Sequence, residues 1–358
     1  MRIAQSLIAD QLKVLKTIMP PKASGLLEAI LVKDSYLIAD NFDYTIGTLV
    51  PVQMDEPFVL PKKAIEMIEN LSGDIEIDAD GAVIRLTCGG VKSQFSTVPV
   101  EKFLVSNPFD HGESAFEIDA DLLCDKFSSV LYACAANDKG KTTGGVRLLG
   151  DLANLEFSAL DGFRLALDSM PYGDELDIVI PYGEELDIVI PYGVVRQILS
   201  LKPTGKIFIF CEGNRVIFET DTYIVSSKLI TGQRLDYTAV FPKGDEKQFV
   251  VNRVDLLGAL SRCLICAMGD QRKEPVQLDV ENGTLYVSTK TPTSTYEETI
   301  PARGPDEMKI AIDGRYLTDA LKSFGEEELT IRYFHSLKPL VITGKSGTAL
   351  LLPVKVKA

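Results

Sequence analysis

The sequence predicts an α+β protein made of three similar domains in tandem, each with two helices packed on antiparallel sheets. Three observations lead to this prediction. The chain has 358 residues, 46% of them hydrophobic and 25% charged, which is too long for one ordinary core and typical of folded globular proteins. A helix-like segment recurs three times at spacings of about 110 and 130 residues, and stretches of alternating apolar residues lie between the helices.

The first helix of each copy follows a short, strand-like apolar stretch and an Asp or Asn residue. The three copies of this unit occupy residues 7–18, 116–127 and 249–260. Within each unit the apolar residues are spaced by three and four positions, which places them on one face of a helix. Each copy is therefore expected to begin with an amphipathic helix.

A second helical unit follows in every copy, at residues 59–71, 189–201 and 310–324. A Pro or Asp near its start is a signal for a helix N-terminus, because Pro tolerates the first turn and Asp can accept hydrogen bonds from free backbone amides. The pattern thus predicts six related helices, two in each third of the chain.

The segments between the helices alternate apolar and polar residues, as strands with one buried face do. Turn dipeptides suited to positive φ angles interrupt them at Asp80-Gly81, Gly213-Asn214 and Asn282-Gly283. Polar, turn-rich stretches at residues 111–113 and 242–246 mark the expected boundaries. The predicted domains are residues 1–112, 113–243 and 244–358.

A tandem duplication interrupts this regular plan. Residues 171–180 are followed by a nearly identical copy, residues 181–190, which differs only in having Glu184 where the first copy has Asp174. Either copy could provide the strand before the helix at 194–201, so the strand register is poorly specified. We expect one copy to pair in a sheet and the other to form a loop.

The charge of the chain limits the classes of partner. A net charge of −14 and a pI near 4.8 argue against a general nucleic-acid binder, which needs a basic surface to displace counterions from phosphates. No N-terminal signal peptide is recognisable and no window approaches a bilayer-spanning length, so a cytoplasmic location is expected.

Neither a metal site nor a cofactor site is expected. Six scattered cysteines fit reduced, buried thiols, and Cys263 and Cys266 share a helix face without the second pair that a zinc site needs. Four acidic residues alternate between Asp74 and Asp80, which indicates a solvated strand face rather than a calcium loop. The sequence therefore predicts neither metal nor cofactor.

Catalytic motifs are equally weak. The segment from Ala135 to Thr142 resembles a phosphate-binding loop, but it follows a predicted helix and precedes a strand, the reverse of the order that such loops require. Only two histidines, His111 and His335, are present, and no Gly-x-Ser-x-Gly motif occurs. The chain is not expected to be an enzyme.

Basic residues recur on every predicted helix and in two adjacent loops. In an acidic protein this distribution of Lys and Arg places positive charge on the helices, although solvated helix faces often carry Lys and Arg without any special role. The candidates for phosphate contact are Lys13, Lys16, Lys22, Lys63, Lys139, Lys141, Arg196, Lys202, Arg262 and Lys322.

Four ordered motifs, in step with the threefold repeat, resemble the bacterial β sliding clamp, the processivity subunit of DNA polymerase III. They are Leu160-Asp-Gly-Phe-Arg-Leu165, Ser227-Lys-Leu-Ile-Thr-Gly232 with Asp236-Tyr237 and Pro242, residues 315–321, and residues 350–356. The resemblance implies a homodimeric ring around duplex DNA, with helices lining the hole. It also implies partners: a replicative polymerase, a clamp loader, and repair polymerases that dock short peptides.

The resemblance also implies a hydrophobic peptide pocket and its residues. These are Leu160, Gly162, Phe163, Arg164, Leu165, Pro242, Leu337, Pro339, Leu350, Leu351, Leu352, Pro353 and Val354. Arg164 is expected at the pocket edge, where it would meet peptide polar groups, and the C-terminal apolar run beside Pro353 is expected to form an exposed sheet edge.

Some features differ from the family pattern. Phe163 stands where a polar residue is usual, Leu235 replaces a common Pro, and Thr143 takes the place of a larger apolar side chain. The dimer contact is expected near Phe103 and Leu104 in the first domain and near Met268 in the third.

Two other functions remain open on the sequence. One is a monomeric, β-rich interaction scaffold with the same repeats, and the other is a nucleotide-hydrolysing enzyme that would use residues 140–142.

Overall fold

The structure is a computed structural model that describes residues 2–19, 28–52, 56–103, 105, 107–112, 116–138, 140–150, 154–171, 186–233, 236–267, 275–304, 307–345 and 347–355. The described residues fall into two compact units. The first unit contains residues 2–123 and 196–229, and the second contains residues 124–171, 186–195 and 230–355.

The six predicted helices are confirmed. They are α1 (Ala9–Ile18), α2 (Lys62–Glu69), α3 (Ala120–Leu131), α4 (Tyr192–Leu201), α5 (Arg253–Ala267) and α6 (Gly314–Ser323). In α1 the buried residues Leu12, Leu15 and Ile18 follow the predicted spacing. The longest helix in the described ranges, α5, has 15 residues, and none has the length and apolar character needed to span a bilayer.

All strand pairs among the described residues are antiparallel, and four strands lie between each helix and the next. The strands before α3 are β1 (Arg2–Ala4), β2 (Ala29–Lys33), β3 (Tyr36–Asp40), β4 (Tyr44–Leu49), β5 (Phe58–Pro61), β6 (Asp74–Asp80), β7 (Val83–Cys88), β8 (Val91–Ser96) and β9 (Phe116–Asp119). Those between α3 and α5 are β10 (Gly145–Gly150), β11 (Asn154–Leu160), β12 (Arg164–Pro171), β13 (Leu186–Pro191), β14 (Lys206–Glu212), β15 (Arg215–Glu219), β16 (Tyr223–Lys228) and β17 (Lys247–Asn252). The remainder are β18 (Val276–Glu281), β19 (Thr284–Lys290), β20 (Thr295–Arg303), β21 (Met308–Ile312), β22 (Glu328–Tyr333), β23 (Leu340–Thr343) and β24 (Thr348–Leu351).

Each unit has its own sheets. In the first unit a four-stranded sheet has the order β1-β6-β7-β8, and an eight-stranded sheet has the order β5-β2-β3-β4-β16-β15-β14-β9. The second unit contains one sheet with the order β13-β10-β11-β12-β24-β23-β22-β17-β20-β19-β18-β21. Two strand pairs join distant thirds of the chain: β4 with β16, and β12 with β24.

The predicted repeat is visible in the hairpin turns of these sheets. In four of them the first turn residue is Asn41, Asp161, Thr220 or Thr291, and its side-chain oxygen accepts from the amides two and three positions later. This side-chain turn is a local device that needs only a short polar residue in the right place. Equivalent hairpins in different thirds thus share one turn chemistry.

The predicted two-residue turns are nearly all in place. Gly213-Asn214 and Asn282-Gly283 are the hairpin loops as expected, and both Asn282 and Gly283 have positive φ angles, of 49° and 74°. The first loop is Gly81-Ala82, one residue later than predicted, because Asp80 still pairs with Val83 at the end of β6.

The second copy of the duplicated decapeptide pairs in a sheet. Strand β13 aligns with β10 from Gly145 opposite Pro191 to Gly150 opposite Leu186 and leads directly into α4. The first copy lies outside the described residues, apart from Pro171 at the end of β12.

The six cysteines are free thiols, but the expectation that all are buried is wrong. Cys88, Cys134 and Cys263 are buried, whereas Cys211 is exposed on β14, whose side chains alternate between the two faces of the sheet.

The solvated strand face predicted for β6 is confirmed. The Arg85 guanidinium on the neighbouring strand donates to Asp78, at 3.0 Å, and to Asp80.

Candidate peptide-binding site

Two depressions in the second unit lie beside the residues predicted to bind peptides. The first, which we call the inner cleft, is lined by Thr142, Gly145, Arg147, Ser158, Ala159, Leu160, Val189 and Tyr237. The second, the outer groove, is lined by Leu337, Leu352, Pro353, Val354 and Lys355. Both combine apolar walls with a few polar groups, as binding sites for small ligands and peptides do.

The floor of the inner cleft is set by β10. A Cβ atom at Gly145 would lie 2.3 Å from the Ile190 carbonyl oxygen, so only glycine permits the close approach of β10 to β13. Arg147 reaches across β13, where its Nε and Nη2 donate to the two carboxylate oxygens of Asp187 at 2.7 and 3.0 Å. These hydrogen bonds raise the pKa of Arg147, so the floor of the cleft carries a fixed positive group.

Tyr237 closes one side of the inner cleft. Its ring centroid lies 5.6 Å from the Arg147 guanidinium carbon, and its hydroxyl donates to Glu156. Because the ring is held by both interactions, it presents a rigid aromatic wall. Asp236, the preceding residue, caps the short turn Tyr237–Val240 by accepting from the Thr238 amide.

The turn between β11 and β12 lies between the two depressions. Gly162 there has a φ of 89°, which an L side chain rarely adopts, and the Asp161 carboxylate accepts from the amides of Phe163 and Arg164. The Phe163 side chain is 58% exposed. Its carbonyl oxygen accepts from the Leu352 amide at 2.8 Å, which ties the turn to the end of β24.

Arg164 does not lie at the pocket edge, so that prediction is wrong. Its side chain is only 11% exposed, and Nε donates to Asp161 while Nη1 donates to Asp319 on α6. The guanidinium also lies 4.3 Å from the ring centroid of Tyr316. Burial alone would lower the pKa of Arg164, but the two carboxylates outweigh it and the pKa is raised.

The C-terminal run is not an exposed edge, contrary to the sequence prediction. Strand β24 lies in the middle of its sheet between β12 and β23, and Leu350 and Leu351 are buried. Pro353 follows two residues after the strand ends, so no ladder hydrogen bond is lost there. Leu165, opposite Leu350, is buried as well.

The predicted pocket residues are therefore divided among several parts of the second unit. Leu160 lines the inner cleft, and Leu337, Leu352, Pro353 and Val354 line the outer groove. Gly162 and Phe163 form the turn between them, while Pro242 and Pro339 are half-buried and line neither depression. The core holds Leu165, Leu350 and Leu351.

Sequence reasoning missed most of the inner cleft. Thr142 lines the cleft rather than Thr143, whose hydroxyl donates to Asp138 at 3.1 Å. The Gly144-Gly145 pair at the start of β10 was the available signal, since glycine in a strand often marks a close backbone approach. Arg147, Ser158 and Val189 lie on strands where no local pattern distinguishes a cleft residue from any other.

Within the described ranges no three His, Cys, Asp or Glu side chains lie close enough to hold one metal ion. The segment that resembles a phosphate loop leads into a single helical turn, Thr142–Gly144, and then β10. That order of elements provides no helix N-terminus for a phosphate.

Comparisons with known proteins point to one family. Residues 238–352 match the family model for the C-terminal domain of the DNA polymerase III beta subunit. The beta sliding clamp of Synechococcus elongatus is 23% identical over 337 residues, which cover 88% of this chain and 87% of that protein. The chain is similar to bacterial β sliding clamps along most of its length, and its C-terminal third matches the family model directly.

Solved structures of sliding clamps have the same fold. The DNA polymerase III subunit beta of Pseudomonas aeruginosa superposes with a TM-score of 0.88 at 21% identity, covering 99% of each chain. A sliding clamp from Bartonella birtlesii, bound to griselimycin, gives the same TM-score, identity and coverage.

The candidate phosphate contacts differ in their surroundings. Lys16 pairs with Glu69, Lys141 with Asp138, and Arg262 with Glu298. Exposed candidates without an ion pair in the described ranges are Lys13, Lys63, Arg196, Lys202 and Lys322. Lys22 and Lys139 lie outside those ranges.

The residues expected at the dimer contact need revision. Phe103 is 5% exposed and packs in an apolar cluster with Leu31 and Val59, so it is a core residue. Leu104 and Met268 lie outside the described residues.

Proposed function

We propose that the chain is a DNA sliding clamp: a non-catalytic, homodimeric ring that encircles duplex DNA and tethers the replicative polymerase. Its domains would be residues 1–112, 113–243 and 244–358. A clamp loader and repair polymerases would be further partners, with the cytoplasm as the place of action. Binding to DNA would be topological and independent of sequence, while the inner cleft and outer groove would provide affinity for peptides.

The observation that carries the proposal is the way in which strands pair at the edges of the sheets. The last strands of neighbouring hairpin sheets pair where two thirds of the chain meet, as β4 does with β16 and β12 with β24. Among the described residues, no strand pairs with the free side of β8 or with that of residues 295–301 in β20. Strand β8 ends the second half of the first domain, as β16 and β24 end the second halves of theirs, and β20 ends the first half of the third domain, as β4 and β12 end the first halves of theirs.

Free edges are readily paired by another chain. Pairing of β8 in one protomer with β20 in its partner would repeat the same junction and close a ring with two such contacts. Lys92 on β8 and Glu297 on β20 are exposed and opposite in charge, which favours this pairing over that of two like edges.

The distribution of charge supports an inner surface made of helices. The six helices carry ten Lys and Arg residues against seven Asp and Glu, whereas the whole chain has 37 against 51. A helical lining of this kind would weakly attract the phosphate backbone, while the acidic remainder of the surface would discourage direct binding from outside.

The ring can be tested without a clamp loader. The purified chain is incubated with linear duplex DNA that carries biotin at both ends, and streptavidin is then added to block the ends before a high-salt wash. We expect retention on blocked DNA and loss from unblocked DNA, because salt weakens ionic contacts but cannot release a threaded ring.

Sedimentation of the same sample provides the complementary measurement. The expected mass is twice the 39.3 kDa of one chain. Equal retention on blocked and unblocked DNA would refute the ring, and a mass of one chain would favour a monomeric interaction scaffold.

A further inference from the structure

The Arg164 side chain is buried among protein groups, whereas a residue that contacts a ligand would be exposed. Its guanidinium lies between two tyrosine rings, 4.3 Å from the centroid of Tyr316 and 5.4 Å from that of Tyr132. Nε donates to Asp161 at 2.9 Å and Nη1 donates to Asp319 at 2.7 Å. The four partners come from α6, the β11–β12 turn and the residue after α3.

The two aspartates connect different parts of the second unit. One oxygen of Asp161 accepts from the amides of Phe163 and Arg164, and its other oxygen accepts from the Arg164 side chain. Asp319 belongs to α6. The guanidinium therefore holds the turn against the helix through a pair of charge-assisted hydrogen bonds, which are among the stronger polar contacts in proteins.

That turn borders both depressions. Leu160, at its start, lines the inner cleft, and the Phe163 carbonyl oxygen accepts from the amide of Leu352, which lines the outer groove. A movement of the turn relative to α6 would change the position of a wall in each depression at once.

We propose that Arg164 is a positioning residue that fixes the spacing of the inner cleft and the outer groove without touching the ligand. The proposal rests on the proposed function, because it concerns the peptide site of a sliding clamp. Arginine suits this role, since its planar fork can serve two carboxylates while it stacks between aromatic rings, and lysine can do neither as well.

The test uses Asp319→Asn and Arg164→Lys in the full chain, with griselimycin as the probe ligand in calorimetric titration. Asp319 is 44% exposed and lines neither depression, so its substitution is expected to fold. Asp255→Asn on α5 is the matched control, because Asp255 is exposed and has no ion pair in the described ranges. We expect about tenfold weaker binding for both test variants, as for other residues that orient a binding site.

Amide hydrogen exchange provides a readout that does not depend on any ligand. In Asp319→Asn the amides of Phe163 and Leu352 should exchange faster, while that of Ala166, farther along β12, should not change. The control variant should exchange like the natural protein at all three amides.

The outcomes separate the hypotheses. Weaker binding and faster exchange in Asp319→Asn support the positioning role. Unchanged or tighter binding in Asp319→Asn, with weaker binding only in Arg164→Lys, would overturn it, because that result means direct contact between Arg164 and the ligand. If the natural protein binds no griselimycin, the proposed peptide site fails, and unchanged exchange in Asp319→Asn would separately overturn the positioning role.

Discussion

Because Gly47 in β4 has no side chain, an aromatic ring can pack directly on the backbone at this position. The Phe109 ring lies over it, stacked on Tyr36 with 3.7 Å between the ring centroids. A Cβ atom at Gly47 would lie 2.6 Å from Phe109 Cζ and 2.9 Å from Ile224 Cγ2 of β16. The segment before the predicted first domain boundary therefore packs directly over the pairing of β4 with β16.

Gly47→Ala is expected to destabilise the first unit by about 1–3 kcal/mol, because the added methyl displaces the Phe109 ring from a well-packed position. Urea unfolding followed by circular dichroism measures the shift in midpoint. Gly325→Ala, where a Cβ meets no atom within 4 Å, is the matched control. If Gly47→Ala unfolds at the same urea concentration as this control, the contact does not matter for stability.

For individual residues, the partners of a charged side chain are difficult to predict from the sequence. Arg164 and Arg262 looked available for ligands, yet carboxylates from distant positions engage both, and Glu298 is held by Arg262 and Tyr296 with its pKa lowered to about 2. A sequence gives the charge of a residue but not which opposite charge folds next to it. Conversely, the side-chain turn at Asp161 depends on adjacent residues and follows from the sequence.

At the scale of elements, the duplicated decapeptide is the clearest case of an ambiguous pattern. Residues 176–183 and 186–193 are identical, so strand propensity cannot choose between them. Chain connectivity decides, because only the second copy runs without a break into α4.

Ile188→Pro should disrupt β13, because Ile188 lies opposite Leu148 with its backbone groups directed at β10, and proline cannot donate to the ladder. The identical substitution in the first copy, Ile178→Pro, should leave thermal unfolding unchanged, because we expect that copy to form a loop. Differential scanning calorimetry of the two variants compares the same change in the same local sequence. Equal loss of stability in both would mean that the two copies contribute equally to the fold.

The helices and hairpin turns were predicted well because the signals for them lie close together in the sequence. The apolar spacing of α1 and α6 and the turn residues of the Asn282-Gly283 hairpin are local signals. The assignment of β24 to a sheet edge was wrong because an apolar run followed by Pro has two explanations. It can be an edge strand, or it can be a buried strand that ends before the Pro. Only its pairing with both β12 and β23 distinguishes the two.

At the scale of the whole molecule, the free edges of β8 and β20 determine the proposed assembly. The two-residue loop after β7 makes Cys88 and Val91 a hydrogen-bonded pair, so in β8 the amides of alternate residues, including Gln94, point away from β7. These outward amides are the groups that a partner strand would use.

Gln94→Pro should therefore convert the dimer to a monomer while the first unit stays folded, because proline removes an outward donor and spares the pairing with β7. Sedimentation equilibrium gives the mass, and circular dichroism checks the fold. Gln94→Ala, which keeps the backbone amide, is the control and should remain a dimer. A dimeric Gln94→Pro would place the interface elsewhere.

The sequence by itself determined the threefold repeat, the six helices and most of the turns, because each depends on residues within a few positions of one another. The tertiary structure alone decided that β24 is central, that Arg164 is buried, and that Arg147, Ser158 and Tyr237 line the inner cleft. These outcomes depend on contacts between strands and helices far apart in the chain, and no local pattern encodes them.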